Sequence, residues 1–255
     1  MMNRVKNATE IDRLRTSGGI LAEVLRRLSA ALEPGQTTGF LGDMAARELK
    51  ALGGKPTFLQ YQPDPDVKPF PSTICISVND EIVHGIPGKR EIAAGDLVGL
   101  DFGVNYEGMF TDGAVTVVAG GQPTPAQTRL LKATKEALDL GIEQVHDGAR
   151  IGSISHAVEQ RLRRDKLGII EELSGHGVGH EVHEDPIILN YGRANSGGRL
   201  KTGMSIAIEP MATLGKRHIY VDTDGWTIRT SDGSLGAQFE HTVLVTDSGF
   251  EIVTV

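Results

Sequence analysis

Apolar residues recur at helical spacing between Glu10 and Glu33, where Ile11, Leu14, Leu21, Val24, Leu25, Leu28 and Leu32 share one face. That stripe predicts an amphipathic helix, and Pro34-Gly35 ends it. A second helix is predicted from Thr38 to Leu52, with Leu41, Met44, Ala45 and Leu49 inward and Gly53-Gly54 as its stop. A proline-rich stretch from Pro56 to Pro71 reads as a loop. The period then shortens. Ile74 to Val78 is a short apolar run with strand character. After a turn at Gly95-Asp96, Leu97 to Gly103 predicts a strand, and Gly108 to Val118 predicts its hairpin partner across a turn at Asn105 to Gly108.

The pattern then starts again. Ala126 to Val145 carries Leu130, Leu131, Thr134, Ala137, Leu138 and Ile142 at helical spacing and stops at Asp147-Gly148. Ile151 to Lys166 predicts a further helix, ended by Gly168. Gly148 and Gly152 repeat the spacing of Gly35 and Gly39, and Gly203 to Glu209 (GMSIAIE) echoes Gly95 to Asp101 (GDLVGLD). In both strings a glycine precedes an apolar strand that a carboxylate ends. The expected fold class is therefore α+β, with two related halves, about 10–120 and 124–255, sharing one sheet. Nothing resembling a flexible linker separates them, so residues 1–255 are read as a single domain.

Composition narrows the function classes. The net charge of −7 gives no reason to propose a nucleic-acid partner, so no DNA binding is expected. The basic cluster Arg161 to Lys166 is broken by Leu162 and Asp165 and reads as a solvated helix face. Cys75 is the one cysteine, which excludes an intrachain disulfide and fits a reducing compartment. About the first thirty residues are charged and periodic, without the apolar core of a signal peptide. No run approaches the ~18 consecutive apolar residues of a membrane helix. A cytoplasmic protein without a membrane partner is expected.

The chemistry lies in carboxylates at the ends of apolar strands. Asp101 closes LVGLD and Asp112 lies inside MFTDGAVTV; a hairpin places both on one face. Two aspartates side by side in a sheet repel one another and lose hydration. No basic residue stands between Gly95 and Gly121, so a bound cation is a simpler neutraliser than a nearby side chain. Glu209 ends SIAIE, and Glu240 sits in AQFEHTVLV. A lone buried carboxylate is more often part of an ordinary ion pair. Four, beside the histidine-rich string SGHGVGHEVHEDP (174–186), favour metal. His180-Glu181-Val182-His183 is one residue short of the HExxH zinc-helix pattern, and Asp101-Phe102-Gly103 lacks the glycine-rich loop of a kinase. Oxygen-rich ligation with one imidazole suits two divalent ions, which ~3.5–4 Å apart can activate a water for hydrolysis.

The order Asp101, Asp112, His176, Glu209, Glu240 resembles the five metal ligands of the methionine aminopeptidases, type I. VNDEIVHGIP around His84, GHGVGHEVHEDP, AIEPM and AQFEHTVLVT support the likeness, which runs from about residue 5 to the last residue. It implies a pita-bread fold, in which pseudo-symmetric halves share a mostly antiparallel sheet with helices on its outer face. The implied reaction is removal of the initiator methionine from nascent polypeptides, with small second residues preferred. The implied cofactors are two divalent metal ions (cobalt, manganese, iron or zinc). Asp101 would chelate one ion, Asp112 and Glu240 would bridge both, and His176 and Glu209 would complete the other. Glu209 would also handle the proton of the attacking water. His183 would act near the developing oxyanion and His84 near the scissile nitrogen. Phe70, Cys75, Val182 and Trp226 would form the methionine pocket. The implied partners are polypeptide N-termini, with the ribosome a candidate, and a monomer is expected.

The sequence also departs from the family pattern. The loop Gln60 to Pro71 (QYQPDPDVKPFP) is longer and richer in proline. Val182 stands where an aromatic is common, which should widen the pocket. His180 is unusual, and Gly113 replaces a small polar residue. The competing readings are an Xaa-Pro aminopeptidase, a group that usually carries an extra N-terminal domain, and a catalytically silent pita-bread protein, which is expected to lose ligands.

Overall fold

The computed structural model describes residues 5–255. Among them are four helices: α1 (Ala8–Ala31), α2 (Thr38–Ala51), α3 (Pro125–Ile142) and α4 (Ile151–Arg164). Local chemistry sets where they start. Asn7 caps α1 by accepting from the Glu10 N–H, while the Glu10 carboxylate accepts from the Asn7 N–H, so two orphan donors are satisfied reciprocally. Thr124 and Gln127 repeat this box at α3, with Pro125 in the first turn. Thr37 caps α2 through the Phe40 N–H. Arg150 precedes α4 without a side-chain cap. There the neighbouring loop supplies the acceptors, and it lies so close that a Cβ on Gly152 would meet the Arg193 carbonyl at 2.4 Å.

Fifteen strands accompany them among the described residues: β1 (Lys55–Pro56), β2 (Cys75–Val78), β3 (Glu81–Val83), β4 (Leu97–Tyr106), β5 (Met109–Val118), β6 (Gly168–Ile169), β7 (Ser174–Gly177), β8 (Glu184–Leu189), β9 (Ser205–Ile208), β10 (Met211–Thr213), β11 (Ile219–Val221), β12 (Ile228–Thr230), β13 (Gly236–Gln238), β14 (His241–Thr246) and β15 (Gly249–Ile252). The β4–β5 hairpin extends beyond the expected Gly103. Its turn needs only Glu107 and Gly108, both at positive φ (48° and 86°).

The pairings between these strands are antiparallel and fall into four sheets rather than the one expected. The two largest carry the site. One has the order β1-β4-β2 with β5 also on β4; the other runs β15-β14-β9-β7-β8. They meet through a single bridge, in which Ala114 and Glu240 exchange backbone hydrogen bonds of 3.3 and 2.9 Å. The ladder breaks there because the chain leaves β13, paired in a third sheet, and passes through Phe239 and Glu240 before entering β14.

Each sheet buries one face against a helix pair. Leu21, Leu28, Leu41 and Leu49 of α1 and α2 pack on Ile76, Leu100 and Phe102. Leu130, Leu138, Ile154 and Leu162 of α3 and α4 pack on Ile206, Ile208 and Val243. Strand alternation then decides what points the other way. Leu100 and Phe102 face the helices, so Asp101 between them faces away from them. Val115 packs on the helix side, so Asp112 does not. Gly113 is small for the same reason, since a Cβ there would approach Leu21 of α1 at 2.9 Å.

Candidate active site

Both sheets contribute to one cluster of acids beneath a cavity of about 510 Å³. Asp101 on β4 lies opposite Ala114, and Asp112 on β5 lies opposite Gly103, so each carboxylate faces a small residue across the hairpin. His176 on β7 pairs with Ala207, two positions before Glu209 in the chain. Its Nε2 lies 3.5 Å from Glu209 Oε1. Its Nδ1 lies 2.9 Å from the Gly177 carbonyl, to which only an N–H can donate; Nε2 is thereby left as a lone-pair donor. Ligand atoms of Asp112, His176 and Glu240 lie within 4.8 Å of one another. Asp101, Asp112, His176 and Glu240 are all buried, and all five candidates line the cavity.

The cluster is electrostatically unfinished. Among the described residues, no lysine or arginine forms an ion pair with any of the four carboxylates. Asp101 Oδ1 and Glu240 Oε1 are buried without a hydrogen-bond partner. Gly113 N donates to Asp112 Oδ1 at 3.0 Å, and Gln238 Nε2 donates to Glu209 Oε2 at 3.3 Å, which is little compensation for so much charge. Burial pushes Asp101 up to about 7. Burial and then mutual repulsion hold Asp112, Glu209 and Glu240 well above the carboxylate range. Burial, with His183 adding to it, lowers His176 to about 3, so its ring is neutral. Orphaned carboxylate oxygens beside a neutral imidazole are the donor set of hard or borderline divalent cations, and these residues fit such ions.

A stability consequence follows. A carboxyl whose folded-state pKa is raised binds its proton more tightly folded than unfolded. Its contribution is present at low pH and is lost as pH rises from about 4 through about 7 for Asp101 and beyond for the others. A divalent ion removes that loss. Chelated protein is therefore expected to melt below metal-loaded protein, with a wider gap at about pH 8 than at about pH 5. Thermal melts in both states at both pH values check this, and equal gaps would contradict it.

Two further histidines line the cavity. His84 follows β3 in the left-handed region (φ 59°), a conformation costly for a non-glycine residue and common at functional sites. Burial and the nearby His183 lower it to about 4. Its ring stands edge-on to Trp226, with centroids 6.0 Å apart. The His183 ring centroid lies 4.4 Å from that of His176, and its Nδ1 is 2.9 Å from the Tyr61 hydroxyl. Burial lowers its pKa too.

The apolar wall includes Phe58, Tyr61, Phe70, Cys75, Met211 and Trp226. Of the expected pocket residues, Phe70, Cys75 and Trp226 are present, with the Phe70 and Trp226 rings 5.2 Å apart. Val182 is not part of the lining. It is buried in the cluster of Phe58, Phe70 and Cys75, against which Tyr61 also packs, so Val182 is corrected from a lining residue to one behind the wall. That loop is a hairpin, closed by Gln60 N to Phe70 O and Phe70 N to Tyr61 O, both 2.8 Å, and held by Trp226 Nε1 donating to Lys68 O. His180 does not line the cavity; its Nε2 lies 3.1 Å from Glu10 on α1. Sequence reasoning missed Tyr61, Phe58, Met211 and Gln238. Only Gln238 left a usable sign, being two residues from Glu240 in an apolar run and so on the same face.

A sequence profile of metallopeptidase family M24 matches residues 12–247. A methionine aminopeptidase of Aquifex aeolicus is 42% identical over 250 residues, covering 96% of each chain. The crystal structure of a methionine aminopeptidase from Thermotoga maritima superposes with a TM-score of 0.95 at 37% identity, over 99% of each chain. A prolidase from Pyrococcus furiosus has a TM-score of 0.79 at 23% identity, over 99% of this chain but 66% of its own, and shares the fold alone. That shared fold is the α+β pita-bread arrangement. The chain belongs to metallopeptidase family M24, in its methionine aminopeptidase branch.

Proposed function

We propose that this protein removes the initiator methionine from nascent polypeptides by metal-dependent hydrolysis, acting as one catalytic unit across residues 1–255 with repeats at about 10–120 and 124–255. The observation that carries the reading is the uncompensated acid cluster at the floor of a cavity with an aromatic wall. Asp101, Asp112, His176, Glu209 and Glu240 would hold two divalent ions, with manganese, iron, cobalt or zinc all suited to the donors. When bound, the ions supply Lewis acidity to the scissile carbonyl and make a water acidic enough to attack near neutral pH.

The chain's own residues do the rest. The cavity takes an unbranched thioether against Phe58, Tyr61, Phe70 and Trp226, with Cys75 as a sulfur contact. Glu209, held by Gln238, takes the proton of the attacking water and returns it toward the leaving amine. His183 donates to the oxygen that gains charge, and His84 steadies the scissile nitrogen. The aromatic walls exclude bulk water, which strengthens each of these interactions. Polypeptide N-termini are the partners this reading requires. Encounter at the ribosome, a monomeric state and a cytoplasmic location belong to the proposal; no described helix is long and apolar enough to cross a membrane.

The second substrate residue would lie between His84 and the 60–71 hairpin, in a subsite this reading takes to be crowded. A bulky side chain there displaces the carbonyl, and ~1 Å of displacement can cost on the order of 10²-fold. Met-Ala and Met-Gly peptides are expected to be cleaved efficiently, Met-Leu and Met-Lys poorly, and norleucine to replace methionine at the first position. A competition assay over both positions tests this. Fast release of methionine before lysine would remove the crowded subsite, and cleavage of Ala-Pro-Ser with none of Met-Ala-Ser would overturn the assignment.

A further inference from the structure

The 60–71 hairpin does more than wall the cavity. Its first limb brings Tyr61 onto His183, with the phenol oxygen 2.9 Å from Nδ1 and the ring centroids 5.2 Å apart. The hydroxyl has no other hydrogen-bond partner among the described residues. The backbone behind it is fixed. Tyr61 N donates to Phe58 O and its carbonyl accepts from Phe70 N, while Gln60 at φ 64° turns the chain into the hairpin. Farther round, the Lys68 carbonyl accepts from Trp226 Nε1, whose ring abuts both Phe70 and His84. The hairpin therefore touches the surroundings of both substrate histidines, one through a side chain and one through a carbonyl.

We propose that Tyr61 is a positioning residue for His183, donating its phenolic proton to Nδ1 and so placing the imidazole proton on Nε2. A neutral imidazole carries one N–H, and its position is set by what the other nitrogen does. If Nδ1 accepts from Tyr61, Nε2 must be the donor. A donor is what the developing oxyanion needs; the opposite tautomer would meet it with a lone pair. The inference rests on the role of His183 in the proposed function, and it extends that role to a loop longer than the family usually carries. The pocket wall and the tautomer are then set by one residue.

The test is a double-mutant cycle combined with ring-nitrogen NMR of the full chain loaded with a diamagnetic ion, zinc. Tyr61→Phe keeps the ring and removes the hydroxyl. It is expected to lower kcat on Met-Ala-Ser about tenfold, the lower end of what losing an orienting partner costs, with KM nearly unchanged. In a His183→Ala background the same change is expected to have no further effect, because the hydroxyl acts only through the imidazole. A residue that merely shaped the pocket would raise KM and would act equally in both backgrounds, which would overturn the proposal. In the parent, the His183 Nδ1 resonance should lie in the acceptor range and Nε2 in the protonated range, and Tyr61→Phe should move both toward an average. Protonated Nδ1 in the parent also overturns it. The NMR arm needs no turnover, so an enzyme inactive on methionyl peptides would sink the functional reading while leaving the Tyr61–His183 bond independently tested.

Discussion

Asp112→Asn is expected to abolish turnover by losing metal, and to do so without unfolding the protein. Asp112 is 4% exposed, sits opposite Gly103 on β4, and accepts a single hydrogen bond on its side chain, from Gly113. The amide is nearly isosteric, so the hairpin and its helix contacts should survive. What disappears is one of four negative charges that repel each other in a buried space. The cation loses a charged ligand, and activity should fall by more than the roughly 10–100-fold that an outer partner is worth. The metal-free protein, in contrast, loses a source of repulsion. It should melt no lower than the metal-free parent, and above it at alkaline pH, where the parent's buried carboxyls are driven to ionise against their raised pKa values. Metal content by elemental analysis, peptide turnover and melting of the chelated forms make up the test. Full metal occupancy in the variant would remove Asp112 from the site.

His183→Ala should give the opposite combination: metal retained, turnover lost. His183 touches the His176 ring, so a place among the ligands is the competing assignment. Its Nδ1 is, however, engaged by Tyr61. A single lost oxyanion donor costs roughly 10²–10³ in kcat. That fall, with unchanged metal stoichiometry and little change in KM, is the expected result. Loss of one equivalent of metal would move His183 into the coordination sphere.

The helices and the five proposed ligands were legible for the same reason: both depend on local pattern. Leu14, Leu21, Leu25 and Leu28, or Leu130, Ala137 and Leu138, show helical spacing within a short window, and a carboxylate breaking an apolar strand such as LVGLD is conspicuous without knowledge of its neighbours. β7 was not legible. Ser174–Gly177 has no β-branched residue and is half glycine; it is a strand because β8 and β9 flank it, and a Cβ at Gly175 would come within 2.3 Å of the Ala207 carbonyl. Val182 misled because a sequence position does not say which layer of a wall a side chain occupies, and this one is buried behind the lining. Tyr61, which does line the cavity, comes from a distant loop. Gln238 and the division into four sheets likewise depend on tertiary pairing, which no short window contains.

The bridge at Ala114 and Glu240 has a consequence for the order of events during synthesis. Asp112 stands on one side of it and Glu240 on the other, and Asp112 N bonds Thr242 Oγ1 across 130 positions of chain. Proteins are made from the N-terminus, and domains generally fold as units. Until Glu240 has emerged, the proposed ligand set lacks one of its buried carboxylates, and the two largest sheets lack the bridge that joins them. With the ligands as proposed, hydrolytic competence is expected only once Glu240 has been made, and a copy truncated before it is expected to be inert. A bound divalent ion would then act as a clasp between the β4–β5 hairpin and the segment that enters β14, so metal occupancy would double as a certificate of finished folding.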